Sequence, residues 1–109
     1  MGYIPDRRDV AWIDFDPQVG REQAKRRPSL VFSFKSYNAI SGLCLVCPIR
    51  SRSKGWPYDV PVSFKTIRGF IICDQLHSFD WQSRRIDYIT TLPLDIFEEA
   101  HEKMLTLLT

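Results

Sequence analysis

The sequence predicts a small, mainly β fold: a curled antiparallel sheet closed by a C-terminal helix. Short apolar runs rich in β-branched and aromatic residues, separated by turn chemistry, fill residues 1–91. Several of these runs are apolar at both parities, as expected of strands covered on two faces or curled into a barrel. The tail changes period, with Phe97, Ala100, Met104, Leu107 and Leu108 recurring at helical spacing.

Taken in order, Val10 to Phe15 (VAWIDF) is a strand ending at Asp16-Pro17. Leu30 to Phe34 follows Pro28, and Leu43 to Ile49 follows the Ser41-Gly42 turn. Val60 to Phe64 is short and contains Pro61, which lacks an N–H for a second neighbour and so predicts an edge strand. Phe70 to Leu76 follows Gly69, and Ile86 to Leu92 is the last candidate strand. Residues 94–108 form the helix: Pro93 suits the region of its start, and Asp95, Glu98 and Glu99 suit its positive N-terminal end.

A chain of 109 residues supports one core and not two, so residues 1–109 read as a single domain. No apolar run approaches the ~20 residues of a membrane helix. The opening MGYIPDRRDV lacks the apolar core of a secretory signal. Cys44, Cys47 and Cys73 are odd in number and sit in apolar surroundings. Buried reduced thiols and a cytoplasmic protein are the expectation.

The net charge of +2 hides an asymmetry. Residues 92–109 hold four acids and one base, a net of −3, so residues 1–91 carry +5. Such a body favours an anionic partner. Its cations gather in two loops and the pair Arg84-Arg85.

The spacing of Cys44 and Cys47 resembles a metal or redox pair, but strand residues three apart face opposite ways. No second pair accompanies them, so buried structural thiols are the expected role. His77 and His101 are the only histidines. An acid–base pair between them is conceivable for cutting RNA, yet His101 lies on the acidic helix and reads better as a surface residue.

Two segments carry more chemistry. PIRSRSKGWPYDV, residues 48–60, alternates Arg50, Ser51, Arg52, Ser53 and Lys54, then turns at Gly55 to present Trp56 and Tyr58. Cations neutralise phosphates, hydroxyls bond phosphates or base edges, and aromatic rings stack on unpaired bases. The bland alternative is a solvated loop with Trp56 folded onto the core. GREQAKRRPSLVFS, residues 20–33, crowds Arg21, Lys25, Arg26 and Arg27 before a buried run. Pro28 biases Arg27 towards extended geometry at the strand's mouth, where a guanidinium can grip a phosphate through two parallel hydrogen bonds. Glu22 can orient Arg27, accept a proton or read a base, or simply pair with a neighbouring base. Lys25 and Arg26 need do no more than add to the positive field.

Together these stretches resemble the MazF/PemK family of toxin endoribonucleases, most closely its MazF branch. The resemblance spans nearly the whole chain. It rests on DVAWIDFDPQVGREQAKRRPSLVFS, SKGWPYDV, the Cys73-Asp74-Gln75 run and the terminal amphipathic helix. It implies an SH3-like or PemK-like β-barrel working as a homodimer. It also implies metal-independent, sequence-specific cleavage of single-stranded RNA such as mRNA, with no cofactor. The ribose 2′-hydroxyl attacks the adjacent phosphate, usually leaving a 2′,3′-cyclic phosphate and a 5′-hydroxyl. A cognate antitoxin is expected to lay a disordered acidic tail across the RNA groove.

By the same resemblance Arg27 matches the catalytic arginine. Glu22 and Gln23 match an RNA-contacting loop, Lys54 a basic position of the second loop, and Asp74 and Gln75 an acid–glutamine pair near the groove. Phe15, Arg21, Arg52, Trp56 and His77 complete the expected RNA-binding set. Asp14 and Asp16 are expected to shape the loop between them and Arg27. One departure stands out: Arg50 occupies the register of the family's usual catalytic threonine, and the nearest hydroxyl is Ser51. In a continuing strand that hydroxyl would face the wrong way. A bend there would bring Ser51 in, or Arg50 itself would bind the phosphate. A non-catalytic RNA-binding relative and a gyrase-poisoning toxin on the same barrel remain alternatives at this point.

Overall fold

The computed structural model describes residues 2–14 and 26–109. Seven strands and two helices run through them: β1 (Asp9–Asp14), β2 (Arg26–Val31), α1 (Lys35–Ser41), β3 (Leu43–Arg50), β4 (Asp59–Phe64), β5 (Ile67–Ile72), β6 (His77–Asp80), β7 (Ile86–Thr91) and α2 (Leu94–Leu105). All pairings are antiparallel, in the order β4-β5-β3-β2-β1-β7. Strand β3 forks the sheet. Its first half pairs with β6 through Leu43↔Asp80 to Val46↔His77, and its end pairs with β5 through Ile49↔Ile71 and Arg50↔Phe70. Handing one strand between two partners curls the sheet, and a register shift at Val10/Ala11 in β1 adds to the bend. β4 lies at the edge, as Pro61 requires.

Both faces are covered. On one, Phe97, Ala100 and Met104 of α2 pack against Val10, Leu30, Cys47, Ile49 and Ile71. On the other, Ile13, Val31, Cys44, Val46 and Phe79 form a smaller cluster. Cys44 and Cys47 therefore do face opposite ways, both as buried free thiols. Burial pushes Cys44 up to about 12 and raises Cys47 further, so neither is a ready thiolate.

Several features differ from the sequence expectation. β2 spans Arg26–Val31 rather than Leu30 to Phe34, and β5 spans Ile67–Ile72 rather than Phe70 to Leu76. Helix α1 has no apolar period to betray it. It is organised by Asn38, fully buried, whose side-chain amide donates to the Pro5 and Ser33 carbonyls at 2.7 and 3.2 Å. Gly42, at φ 75°, then caps it and returns its N–H to the Asn38 carbonyl. Strand β6 spans only His77–Asp80 and is too short to show alternation. Helix α2 ends at Leu105 rather than 108, leaving Leu107 and Leu108 exposed in a terminal turn.

Candidate active site

The strand ladder sorts the basic residues before any side chain is considered. Arg26 and Arg27, adjacent in β2, leave opposite faces of the sheet. Arg26 is paired with Asp14 at 3.1 Å and with Asp87, and its guanidinium lies 5.9 Å from the Trp12 ring centroid. It is a structural tie between β1, β2 and β7, not a residue that merely adds field. Asp14 pairs with Arg26, while the segment it is expected to shape lies outside the described residues. Arg27 turns the other way and is half-buried, with no carboxylate partner among the described residues.

Strand β3 brings the second cation. Ser29 faces Pro48 across the β2–β3 ladder. Beyond that pair both strands run on to the wall of one cleft, which holds Arg27 and Arg50, the last residue of β3. Like charges brought together oppose each other's ionisation. The Arg27 pKa is held below the ordinary arginine value by burial and then by the charge of Arg50. A guanidinium Nη of Arg50 donates to Gln75 Oε1 at 3.1 Å. Gly69 lets β5 close on this strand end: a Cβ there would stand 2.3 Å from the Arg50 carbonyl oxygen.

Arg27 and Arg50 line a cleft of about 320 Å³ together with residues 51–54, Asp59, Ile72 and Gln75. The chain bends immediately after Arg50, so Ser51 lines the same cleft instead of turning to the far face. Arg52 and Lys54 add two more cations. Trp56 is 42% exposed and outside the cleft wall. It rests edge-on against Tyr58 at 5.5 Å, with Lys54 Nζ 5.2 Å from its ring centre. It is not folded onto the core.

The remaining expectations divide. Gln75 enters the cleft, whereas Asp74 is half-buried beside it and outside the wall, one carboxylate oxygen buried without a partner among the described residues. His77 is exposed at the start of β6, opposite Val46, outside the wall but on the face that bears Arg50. Phe15, Asp16, Arg21, Glu22, Gln23 and Lys25 lie outside the described residues.

His101 is not the surface residue its acidic helix suggests. It is half-buried on α2, stacked on Phe97 at 5.4 Å and hydrogen-bonded to Arg7 at 3.2 Å. Burial, and then the Arg7 charge, lower its pKa. It belongs to the opposite face from His77, so the two form no acid–base pair. Sequence reasoning also missed Asp59, an acid 7% exposed in the cleft wall. Its signal was an acid closing a glycine turn just before a strand.

A cleft with four cations, two of them guanidinia from β2 and the end of β3, suits a phosphodiester in a single strand. Known proteins similar to this chain share one family. The family model for the PemK-like, MazF-like toxin of type II toxin–antitoxin systems matches residues 6–108. The endoribonuclease toxin MazF of Escherichia coli K12 is 43% identical over 82 residues, 75% of this chain and 74% of that protein. Endoribonuclease PemK of Escherichia coli is 27% identical over 110 residues, covering 95% and 82% of the two chains. Among solved structures, MazF from Deinococcus radiodurans superposes with a TM-score of 0.87 at 39% identity, covering 98% of each chain. A MazE–MazF structure from the same organism gives a TM-score of 0.89 at 39% identity, over 98% and 97% of the chains. This chain belongs to the PemK-like, MazF-like family of type II toxin–antitoxin toxins.

Proposed function

We propose that this endoribonuclease toxin cuts single-stranded RNA at short motifs, without a metal ion, in the cleft between β2 and β3. The observation that carries the reading is the placing of Arg27 and Arg50 in the wall of one cleft, close enough for the charge of one to act on the other. Two cations held close together are relieved by an anion between them, and the relief grows as negative charge builds on that anion. The 2′-hydroxyl loses its proton to solvent and attacks the adjacent phosphorus, a pentacovalent phosphorane forms, and the bond to the 5′-oxygen breaks, that oxygen taking a proton from solvent to leave a 5′-hydroxyl and a 2′,3′-cyclic phosphate. Arg27 stabilises the phosphorane electrostatically. Even with its pKa lowered, a guanidinium is a poor proton donor, since arginine ordinarily titrates above ~12. Arg50 takes the place of the usual threonine by holding a non-bridging oxygen, steadied by Gln75. Ser51, Arg52 and Lys54 hold flanking phosphates, and Trp56 offers a ring to an unpaired base. Phe15, Arg21, Glu22 and Gln23, which precede β2 in the sequence, add further RNA contacts.

Its cognate partner is an antitoxin, as for the MazE–MazF structures. A disordered acidic tail on that antitoxin fits the +5 body of the chain. A single domain, a homodimer and a cytoplasmic setting complete the proposal. No helix among the described residues is long and apolar enough to cross a membrane.

The test is incubation with a long single-stranded RNA in EDTA, mapping new 5′ ends by primer extension. Discrete cuts are expected, slowed about 10²–10³-fold in Arg27→Ala, the loss typical of one stabilising donor. Intact RNA with binding retained would overturn the catalytic assignment and favour a binding-only role for a cleft that carries Arg50.

A further inference from the structure

We propose that Asp59 is a positioning residue of the cleavage reaction, acting through the loop that carries Lys54 and Trp56. This rests on the reading that the cleft binds RNA. A carboxylate in the wall of a phosphate-binding cleft has the wrong charge for the ligand. It also has one oxygen, Oδ1, buried without a partner among the described residues, although the residue is 93% buried by its 7% exposure. Burying a carboxylate half-satisfied weakens a fold. What it holds in place explains why it is there.

Its other oxygen accepts the Lys54 N–H at 2.7 Å and the Ser53 hydroxyl at 2.9 Å. That hydroxyl in turn accepts the Gly55 N–H at 2.8 Å. The Asp59 N–H donates to the Trp56 carbonyl at 3.1 Å. One residue thus closes the loop at both ends. Gly55, at φ 84° with open space around it, reverses the chain between them. The base of the loop is tied to the sheet, because Asp59 faces Ile72 across the β4–β5 ladder and the Tyr58 carbonyl accepts the Cys73 N–H at 2.9 Å. Two residues after Cys73 comes Gln75, which holds Arg50. The Lys54–Trp56 platform is therefore referenced to the same strand end as the reacting phosphate. A loop fixed in advance spends none of its binding energy on ordering when RNA arrives.

The experiment is steady-state cleavage of a single-site RNA by Asp59→Ala, Asp59→Asn, Lys54→Ala and the Asp59→Ala/Lys54→Ala double variant, each checked for folding by circular dichroism. Asp59→Ala is expected to raise KM about tenfold with kcat within about threefold, the pattern of lost uniform binding. Asp59→Asn keeps an acceptor for the Lys54 N–H and should recover most of that loss. If Asp59 acts through Lys54, the double variant will be no worse than Lys54→Ala alone. Multiplying effects of about a hundredfold, or an unchanged KM in a folded Asp59→Ala protein, overturn the proposal. Should Asp59→Ala not fold, Ser53→Ala takes its place, since it removes the hydroxyl that links Asp59 to the Gly55 N–H: a raised KM is expected, and an unchanged KM overturns the proposal. A Lys54→Ala protein with unchanged KM overturns the reading of the RNA site itself, and this inference with it.

Discussion

Arg50 stands where the family resemblance leads one to expect a hydroxyl, and under the proposed mechanism it is the cation that meets the phosphate. Sharing the cleft with Arg27 and hydrogen-bonded to Gln75, it offers a positive charge where a hydroxyl would offer one weak donor. Neutralising it should weaken RNA binding and flatten the salt dependence. For a single strand, one phosphate contact fewer changes the slope of log K against log salt by about 0.7. Filter binding or fluorescence anisotropy of Arg50→Ala across a salt series measures this. An unchanged slope would mean that Arg50 does not touch phosphate. The adjacent pair at Arg26-Arg27 behaves in the same way: strand alternation makes one an ion-paired tie and sends the other into the cleft, with no carboxylate partner among the described residues.

At the scale of elements, the site depends on how closely β5 can press on the end of β3. Gly69 sits at φ 147°, and a methyl group there would collide with the Arg50 carbonyl oxygen at 2.3 Å. Gly69→Ala should cost roughly 1–3 kcal/mol by urea unfolding, in line with overpacking a tight contact. It should also lower cleavage per folded molecule, because the strand end that aims Arg50 has to move. Gly42→Ala makes the control. Gly42 caps α1 at φ 75°, and its added methyl would meet only the flexible Gln82 side chain. It should lose stability while keeping cleavage per folded molecule. Equal loss of specific activity in both variants would show that Gly69 has no particular tie to the cleft.

On the scale of the whole molecule, α2 and the N-terminal segment are joined by a titratable contact. Arg7 lies over the Phe97 and Phe34 rings at 5.0 and 4.5 Å and is hydrogen-bonded to His101. Burial and the Arg7 charge depress the His101 pKa, so the folded protein disfavours the imidazolium. Between the two values the unfolded chain binds more protons, and stability therefore rises with pH. The contribution is complete above the unfolded histidine value near 6.5 and fades as pH falls through it towards the lower folded value. Chemical denaturation from pH 5 to 8 should show this slope in the parent and a flatter one in His101→Gln. An identical slope would assign the pH dependence to other groups.

Local chemistry determined a good deal of this protein. Short apolar runs bounded by turn residues placed most strands, Pro61 marked the edge, the helical spacing after Pro93 marked the helix, and the two basic segments marked the cleft. These features are written in neighbouring residues, and their physics is short-ranged. Helix α1 was illegible because a buried asparagine holds it by bonds to Pro5, Ser33 and Trp81, contacts that span up to 43 positions. The same is true of Arg50 sharing a cleft with Arg27, of Ser51 turning inward, of His101 gaining Arg7, and of Asp59 fastening a loop from the cleft wall. Each is decided by which strands become neighbours and in what register. Register is a property of the closed sheet, where a one-residue slip would send each cation to the other face.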